Sequence, residues 1–259
     1  MKHSFAVLIL SCDKYSDVWS QCLACFQKNF QVIDFPIYFG SNTKKCNDQG
    51  VVPILSGNDL NWSTSYKKIL EQIPEKKIMV ILEDLFVSSL VNSNALNDIV
   101  DFMFEKNANH IKYWSNPIPE LPTDSPLIGE YPEGIPYRAT VCGLWDRKYL
   151  LNVLLDGESP WNFEIMGSYR TSYSDGFYAL KEPLFAFRNM IEKGQWIPAS
   201  LDWARENGLS LTIAARPVLQ GQSHLKSRMQ ILVFNLISRI NWKYRLWIMN
   251  QFRKIFISY

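Results

Sequence analysis

The sequence predicts an α/β fold built on a largely parallel sheet. Three observations carry that prediction. Apolar runs of strand length recur through the first half of the chain, segments with apolar residues at helical spacing alternate with them, and one of the strands runs straight into two adjacent acids.

The elements follow in order. Residues 5–11, "FAVLILS", form a continuous apolar run, as expected of a strand buried on both faces. The next segment carries Trp19, Cys22, Leu23, Phe26 and Phe30 on one helical stripe, with Ser16 placed as its N-cap. Short strands are predicted at 35–41 ("FPIYFGS") and 51–56 ("VVPILS"). A helix follows with Trp62, Tyr66, Ile69, Leu70 and Ile73 on one face, and Pro74 stops it. The apolar run 77–89, "KIMVILEDLFVSS", holds Glu83 and Asp84 in its middle, and Leu96, Ile99, Val100, Met103 and Phe104 mark a further helix. Residues 117–136 contain six prolines and two glycines, the composition of a long surface loop. Beyond it, 137–145 reads as a strand and 146–155 as a helix.

A chain of 259 residues, 47% of them hydrophobic, can fill a sizeable core. Its formal net charge of +2 hides a division. No acid occurs after Glu206, and residues 207–259 hold eight Lys or Arg. That leaves 19 basic residues against all 25 acids in residues 1–206, a net charge of −6. The five cysteines have no histidine at zinc-finger spacing, since the histidines are His3, His110 and His224. Cys22 and Cys25 form C-x-x-C, yet Cys22 lies on the helical stripe, so buried thiols are expected rather than a redox pair. The run Ala6 to Leu10 is too short for a signal peptide, and no run of 18 apolar residues occurs, so the protein is expected to be cytoplasmic.

The C-terminal stretch reads as an amphipathic basic tail. Met229, Leu232, Val233, Leu236, Ile237 and Ile240 keep helical spacing, and Ile248, Phe252, Ile255, Phe256 and Tyr259 form a second run. With basic residues and no acid, this composition fits peripheral attachment to the inner face of an anionic membrane, a core-completing or dimerising helix being the other readings. Nucleic acid is not an expected partner, because the body is acidic and carries no recognised binding motif. The chain is expected to divide into 1–210, the acidic α/β body, and 211–259, a basic amphipathic helical tail.

Ligands of open α/β sheets bind at the carboxyl ends of the strands. Asp13 follows the first strand and Glu83-Asp84 closes the fourth. The plain readings are a helix entry and a turn. A carboxylate pair ending a buried strand nevertheless needs a cation or donors to meet its charge, and a divalent metal bridging a diphosphate would do so.

Four stretches together, "VLILSCDKY", "NWSTSYKKILEQIPEKKIMVILEDLF", "YRATVCGLWDRKYLLNVLLDGESPWNFEIMGS" and "IEKGQW", resemble the bacterial glycosyltransferases of polysaccharide gene clusters over roughly residues 5–210. The resemblance implies a GT-A, Rossmann-like fold, with 1–210 as the nucleotide-sugar-binding catalytic domain. It also implies a nucleotide-diphospho-sugar donor held at the first-strand loop, by Ser11 and Asp13, and at the acidic motif Glu83-Asp84. Arg138 is a lesser candidate, able to offset charge on the leaving diphosphate or else an ordinary sheet-edge residue. The acidic strand end, "SPWNFE" and the basic tail together point to transfer to a lipid-linked or membrane-associated glycan. The family's Asp-x-Asp signature is replaced here by "EDL", with Leu85 at the third place. Asp84 is the expected metal or diphosphate contact, and whether Mn or Mg is required stays open.

An inverting transferase needs a carboxylate to deprotonate the acceptor and an apolar platform for a sugar ring. "SPWNFE" supplies both if Ser159 caps a helix that begins at Pro160, because Trp161 and Glu164 then project to one side. Glu164 is the first candidate base and Glu158 the second, the plain reading being a capped helix with a solvated acid. Trp196 is a candidate wall of the acceptor cleft or else core packing, and Trp145 is expected to be structural. A catalytically inactive, membrane-bound scaffold is the alternative that the missing Asp-x-Asp motivates. A nucleotidyltransferase is disfavoured, because "SCDKYSD" lacks a glycine-rich phosphate loop.

Overall fold

The structure, a computed structural model, describes residues 3–31 and 34–220. In the C-terminal stretch it describes positions 232, 236, 239–241, 243–245, 247–248 and 251. Strands β1 (Phe5–Leu10), β2 (Ile37–Ser41), β3 (Val52–Leu55) and β4 (Lys77–Leu82) form a parallel set, with β1 between β2 and β4. Strand β5 (Leu85–Val87) leaves that plane. Strands β6 (His110–Lys112), β7 (Leu121–Pro122), β8 (Ile128–Glu130), β9 (Gly143–Asp146) and β10 (Phe177–Leu180) complete a nine-stranded mixed sheet of order β3-β2-β1-β4-β9-β6-β10-β8-β7. A small ribbon pairs β11 (Phe187–Asn189) with β5, and a hairpin joins β12 (Ile191–Glu192) to β13 (Gln195–Trp196).

Alternation along β1 builds the two layers. Phe5, Val7 and Ile9 belong to one core with α1 (Trp19–Asn29), α3 (Ser93–Glu105) and the helix Pro198–Glu206. Ala6, Leu8 and Leu10 belong to the other, under α2 (Trp62–Gln72) and α4 (Arg147–Val153). A strand covered on both faces must be apolar at every position, and β1 is buried throughout. The fold class is therefore mixed α/β with a central, largely parallel sheet flanked by helices, as the sequence predicts.

Three local expectations change. Ser16 does not cap α1, because a short 3₁₀ turn, Asp13–Tyr15, intervenes and Val18 occupies the cap position. Of residues 137–145, only the last three are strand, in β9. There Gly143 has φ 151°, and a Cβ at this position would stand 2.4 Å from His110 Cε1. The absent side chain lets the His110 ring stack on Trp145 with centroids 3.8 Å apart. The run 77–89 is split between β4 and β5 by a turn at Glu83-Asp84. Cys22 and Cys25 are buried free thiols.

Between residues 207 and 220 the chain stays on the body. Leu209 and Leu211 pack against the α1-side core, and Trp196 exchanges backbone hydrogen bonds with Pro217 and Leu219. The tail residues Met229, Val233, Ile237, Phe252, Ile255, Phe256 and Tyr259 lie outside the described residues, while positions 232, 236, 239, 243–245, 247–248 and 251 are helical. Among the described residues, no helix is long and apolar enough to cross a membrane.

Candidate active site

A cleft of about 310 Å³ opens at the carboxyl ends of β1 and β4. Ser11, Cys12 and Tyr15 enter it from the loop after β1, Glu83 and Asp84 from the turn after β4, and Trp62 from the start of α2. The opposite wall is Val141 with Pro160, Trp161 and Glu164. Asn189 and the β12–β13 hairpin, through Ile191, Glu192 and Lys193, close the third side. Five residues singled out in the sequence, Ser11, Glu83, Asp84, Trp161 and Glu164, thus line one cavity.

The carboxylate pair is strongly perturbed. Burial, with Asp84 beside it, pushes Glu83 well above the usual carboxylate range, against a hydrogen bond from Ser11. Ser11 Oγ itself accepts a 2.6 Å hydrogen bond from Trp19 Nε1. Burial pushes Asp84 up to about 6, opposed by its own backbone N–H and by the charge of Arg216. Burial and the charge of Glu83 also push the Cys12 thiol up to about 11, so it stays protonated and is no nucleophile at neutral pH.

Arg216, counted in the sequence with the basic tail, packs behind Tyr15 of the cleft lining, and its charge acts on Asp84. Its Nε donates to Asp17 Oδ2 at 2.8 Å, its Nη2 donates to the Lys14 carbonyl, and its guanidinium lies 4.2 Å from the centroid of the Tyr15 ring. No local signal marks it, since Asp17 is 199 residues away. Lys193 reaches the cleft because the hairpin turns tightly, with φ 50° at Lys193 and 77° at Gly194. Two successive positive φ values are what a two-residue turn between right-twisted strands requires.

The "SPWNFE" wall folds as its residues dictate. Ser159 Oγ accepts from Asn162 N at 3.2 Å, and Pro160 takes the first helical position. The preceding loop is tied to α2, where Gly157 N donates to Asn61 Oδ1 and Glu158 N to Ser63 Oγ. From Pro160 to Arg170 the chain is continuously helical, but Phe163–Gly167 is a π turn. Such single wide turns recur at functional sites. Phe163 anchors this turn in the core, while Trp161 is 62% exposed and so open to a ligand. The Glu164 carboxylate accepts from Val141 N at 3.1 Å. Burial raises its proton affinity, opposed by that hydrogen bond and by the charge of Lys112. Lys112 is itself buried and donates to the Tyr137 carbonyl at 3.0 Å and to that of Asn116.

The remaining sequence candidates lie elsewhere. Glu158 forms a two-pronged ion pair with Arg170 at 2.7 and 2.8 Å and accepts from Leu155 N, which commits its carboxylate to the loop. Arg138 is fully buried, donates to the carbonyls of Ser172 and Ser174, and lies 4.1 Å from the centroid of the Phe177 ring, away from the cleft lining. Trp196 is a core residue whose indole donates to the Ile213 carbonyl. Asp13 neighbours the cleft, but its carboxylate accepts from Asn42 N, Thr43 N, Thr43 Oγ1 and Lys44 N, fixing the loop after β2.

No protein-family model matches the chain, and no curated protein matches its sequence. Among solved structures, it is similar to S. aureus TarS at 10% identity and a TM-score of 0.44, over 68% of this chain and 36% of that one. The S. aureus TarS 1–349 complex with UDP gives 12% identity and a TM-score of 0.46, over 71% of this chain and 59% of that one. A CMP:2-keto-3-deoxy-manno-octonic acid synthetase complexed with CTP gives 11% and 0.42, over 79% and 98%. The chain therefore spans between about a third and three fifths of the length of these two TarS structures.

Proposed function

We propose that the chain is a glycosyltransferase of GT-A type that moves a sugar from a nucleotide-diphospho-sugar to a lipid-linked or membrane-associated glycan. The observation that carries this reading is the convergence of Ser11, Glu83, Asp84, Trp161 and Glu164 on one cleft at the carboxyl ends of parallel strands. In the proposed step the sugar ring stacks on Trp161. The acceptor oxygen attacks the anomeric carbon from the side opposite the diphosphate, its proton passes to Glu164, and the breaking C–O bond leaves its electron pair on the nucleoside diphosphate. The positive charge that the sequence assigned to Arg138 is supplied in this reading by Lys193 at the hairpin tip, with Arg216 behind the acid pair.

Among the described residues, no three His, Cys, Asp or Glu side chains are grouped to hold a metal. Two adjacent carboxylates still suit a hard cation shared with a diphosphate, since Mg or Mn takes one or two carboxylates and fills its shell with phosphate oxygens and water. Asp84 and Glu83 would hold such an ion, which would offset charge on the leaving diphosphate.

Calorimetric titration with a panel of nucleoside diphosphates, UDP included because it is present in a TarS crystal structure, tests the reading. One nucleotide is expected to bind with stoichiometry near one, more tightly with Mn or Mg. Absence of binding by every nucleotide, with and without metal, sinks the proposal and leaves the inactive scaffold. The membrane part is tested separately by flotation with anionic vesicles. Binding is expected at low salt and should weaken steeply toward 1 M, where the screening length is only about 3 Å. Equal recovery with neutral vesicles removes the electrostatic attachment.

A further inference from the structure

The helix that carries Trp161 and Glu164 has a second cavity on its other side. This cavity measures about 350 Å³, and its lining is almost wholly apolar, including Ile135, Pro136, Tyr137, Ile165, Tyr169 and Ile248. Its size lies within the usual range of ligand pockets, ~300–1,000 Å³. Ile165 is the residue directly after the candidate base, so consecutive residues of one helix line the two cavities. Three features point to an occupant that is long, apolar and anionic at one end. Ile165, Met166, Tyr137 and Tyr173 are large apolar or aromatic side chains left exposed around this wall. The far wall comes from the C-terminal stretch through Ile240, Arg245 and Ile248, with Arg245 ion-paired to Glu120. That stretch also exposes Arg239 and Lys243, and no acid follows Glu206 in the sequence.

We propose that this cavity receives the hydrocarbon chain of a lipid-linked acceptor, so that the anionic head and its glycan emerge beside Trp161 and Glu164. The inference rests on the transferase reading above and gives its acceptor a physical site. An apolar chain gains from burial in proportion to its length, whereas the exposed Arg239 and Lys243 favour a phosphate-bearing head, so chain length and charge act together.

The test uses the full chain and three probes: farnesyl phosphate, dimethylallyl phosphate and inorganic phosphate. Farnesyl phosphate is expected to bind at least about tenfold more tightly than dimethylallyl phosphate, because the additional carbons are buried. Inorganic phosphate is expected to bind no better than dimethylallyl phosphate. Ile165→Glu and Ile248→Glu, one on each wall, are each expected to weaken farnesyl phosphate binding by about tenfold or more, since each places a charge in an apolar site. Nucleoside diphosphate titration of the same variants reports separately on the donor cleft and on folding. Lost farnesyl binding with retained nucleotide binding supports the proposal even where no transfer has been detected. Equal affinity for the two prenyl phosphates overturns it, as does unchanged farnesyl binding in both variants. A parallel loss of binding to phosphatidylglycerol vesicles that lack any prenyl lipid would also overturn it, by making this wall a general membrane face.

Discussion

Replacing Glu164 with Gln is expected to lower sugar transfer by ~10²–10⁴-fold, the range for removing a general base, while leaving nucleoside diphosphate affinity nearly unchanged. Gln keeps the size of the side chain and can still accept from Val141 N, so the wall of the cleft persists and only proton acceptance is lost. The wild-type rate should fall as pH drops through the Glu164 pKa, which burial has raised above the ordinary glutamate value, because the base works only when ionised. The variant should lose this acid limb. Glu158→Gln is expected to lose its ion pair with Arg170, lower thermal stability modestly and retain most of the turnover. A rate profile in which Glu158→Gln is the inactive variant and Glu164→Gln the active one would reverse the two roles.

Asp84→Asn is expected to abolish productive donor binding and, at the same time, to stabilise the folded protein above neutral pH. The sign follows from linkage. Asp84 moves from an ordinary value of 3.8 to about 6 on folding, so the folded state holds more protons than the unfolded state between those values. Stability contributed by this group is present below about pH 4 and is lost as pH rises through about 6, so at pH 8 the ionised carboxylate is a net cost. Each pKa unit corresponds to about 1.4 kcal/mol, which makes about 1–3 kcal/mol available to the neutral variant. For a chain of this size that is a gain of roughly 2–4 °C in Tm for each kcal/mol. Differential scanning fluorimetry at pH 5 and pH 8 reads it directly, with a gain at pH 5 of about half that at pH 8. A variant destabilised equally at both values would mean that Asp84 holds the turn after β4 through hydrogen bonds rather than burdening it with charge. Wild-type donor binding should strengthen as pH rises through about 6.

Much of this arrangement is legible in the sequence because its signals are local. The unbroken apolar run of β1 announces a strand covered on both faces, and Glu83-Asp84 announces a polar requirement at the end of β4. Ser159 and Pro160 mark where the wall helix begins, since a cap and a first-turn proline act within one turn of chain. What the sequence hides is set by distant partners. Arg138 is a charged residue in a stretch that reads as strand, and only the fold supplies the Ser172 and Ser174 carbonyls and the Phe177 ring that let it be buried. Glu158 and Glu164 look equivalent beside Trp161, but Arg170 engages the first and Val141 N the second. Arg216 reads as the first cation of an acid-free tail until the fold brings it to Asp17 and Tyr15. Asp13 stands where a donor contact is expected, yet four donors of the 42–44 loop take up its oxygens.

The π turn at Phe163–Gly167 has a consequence for how such a wall can arise. A π turn carries about one residue more than an α turn, and in an α-helix each residue advances the phase by about 100°. Deleting that extra residue can therefore close the wide turn to an ordinary α turn with the Ser159 cap and the later helix left close to their phase, so that the change is confined to the stretch beside Trp161 and Glu164. Descent by short insertions and deletions, rather than by point substitution, offers a route by which related chains could re-aim the cleft wall around Glu164 without rebuilding the sheet beneath.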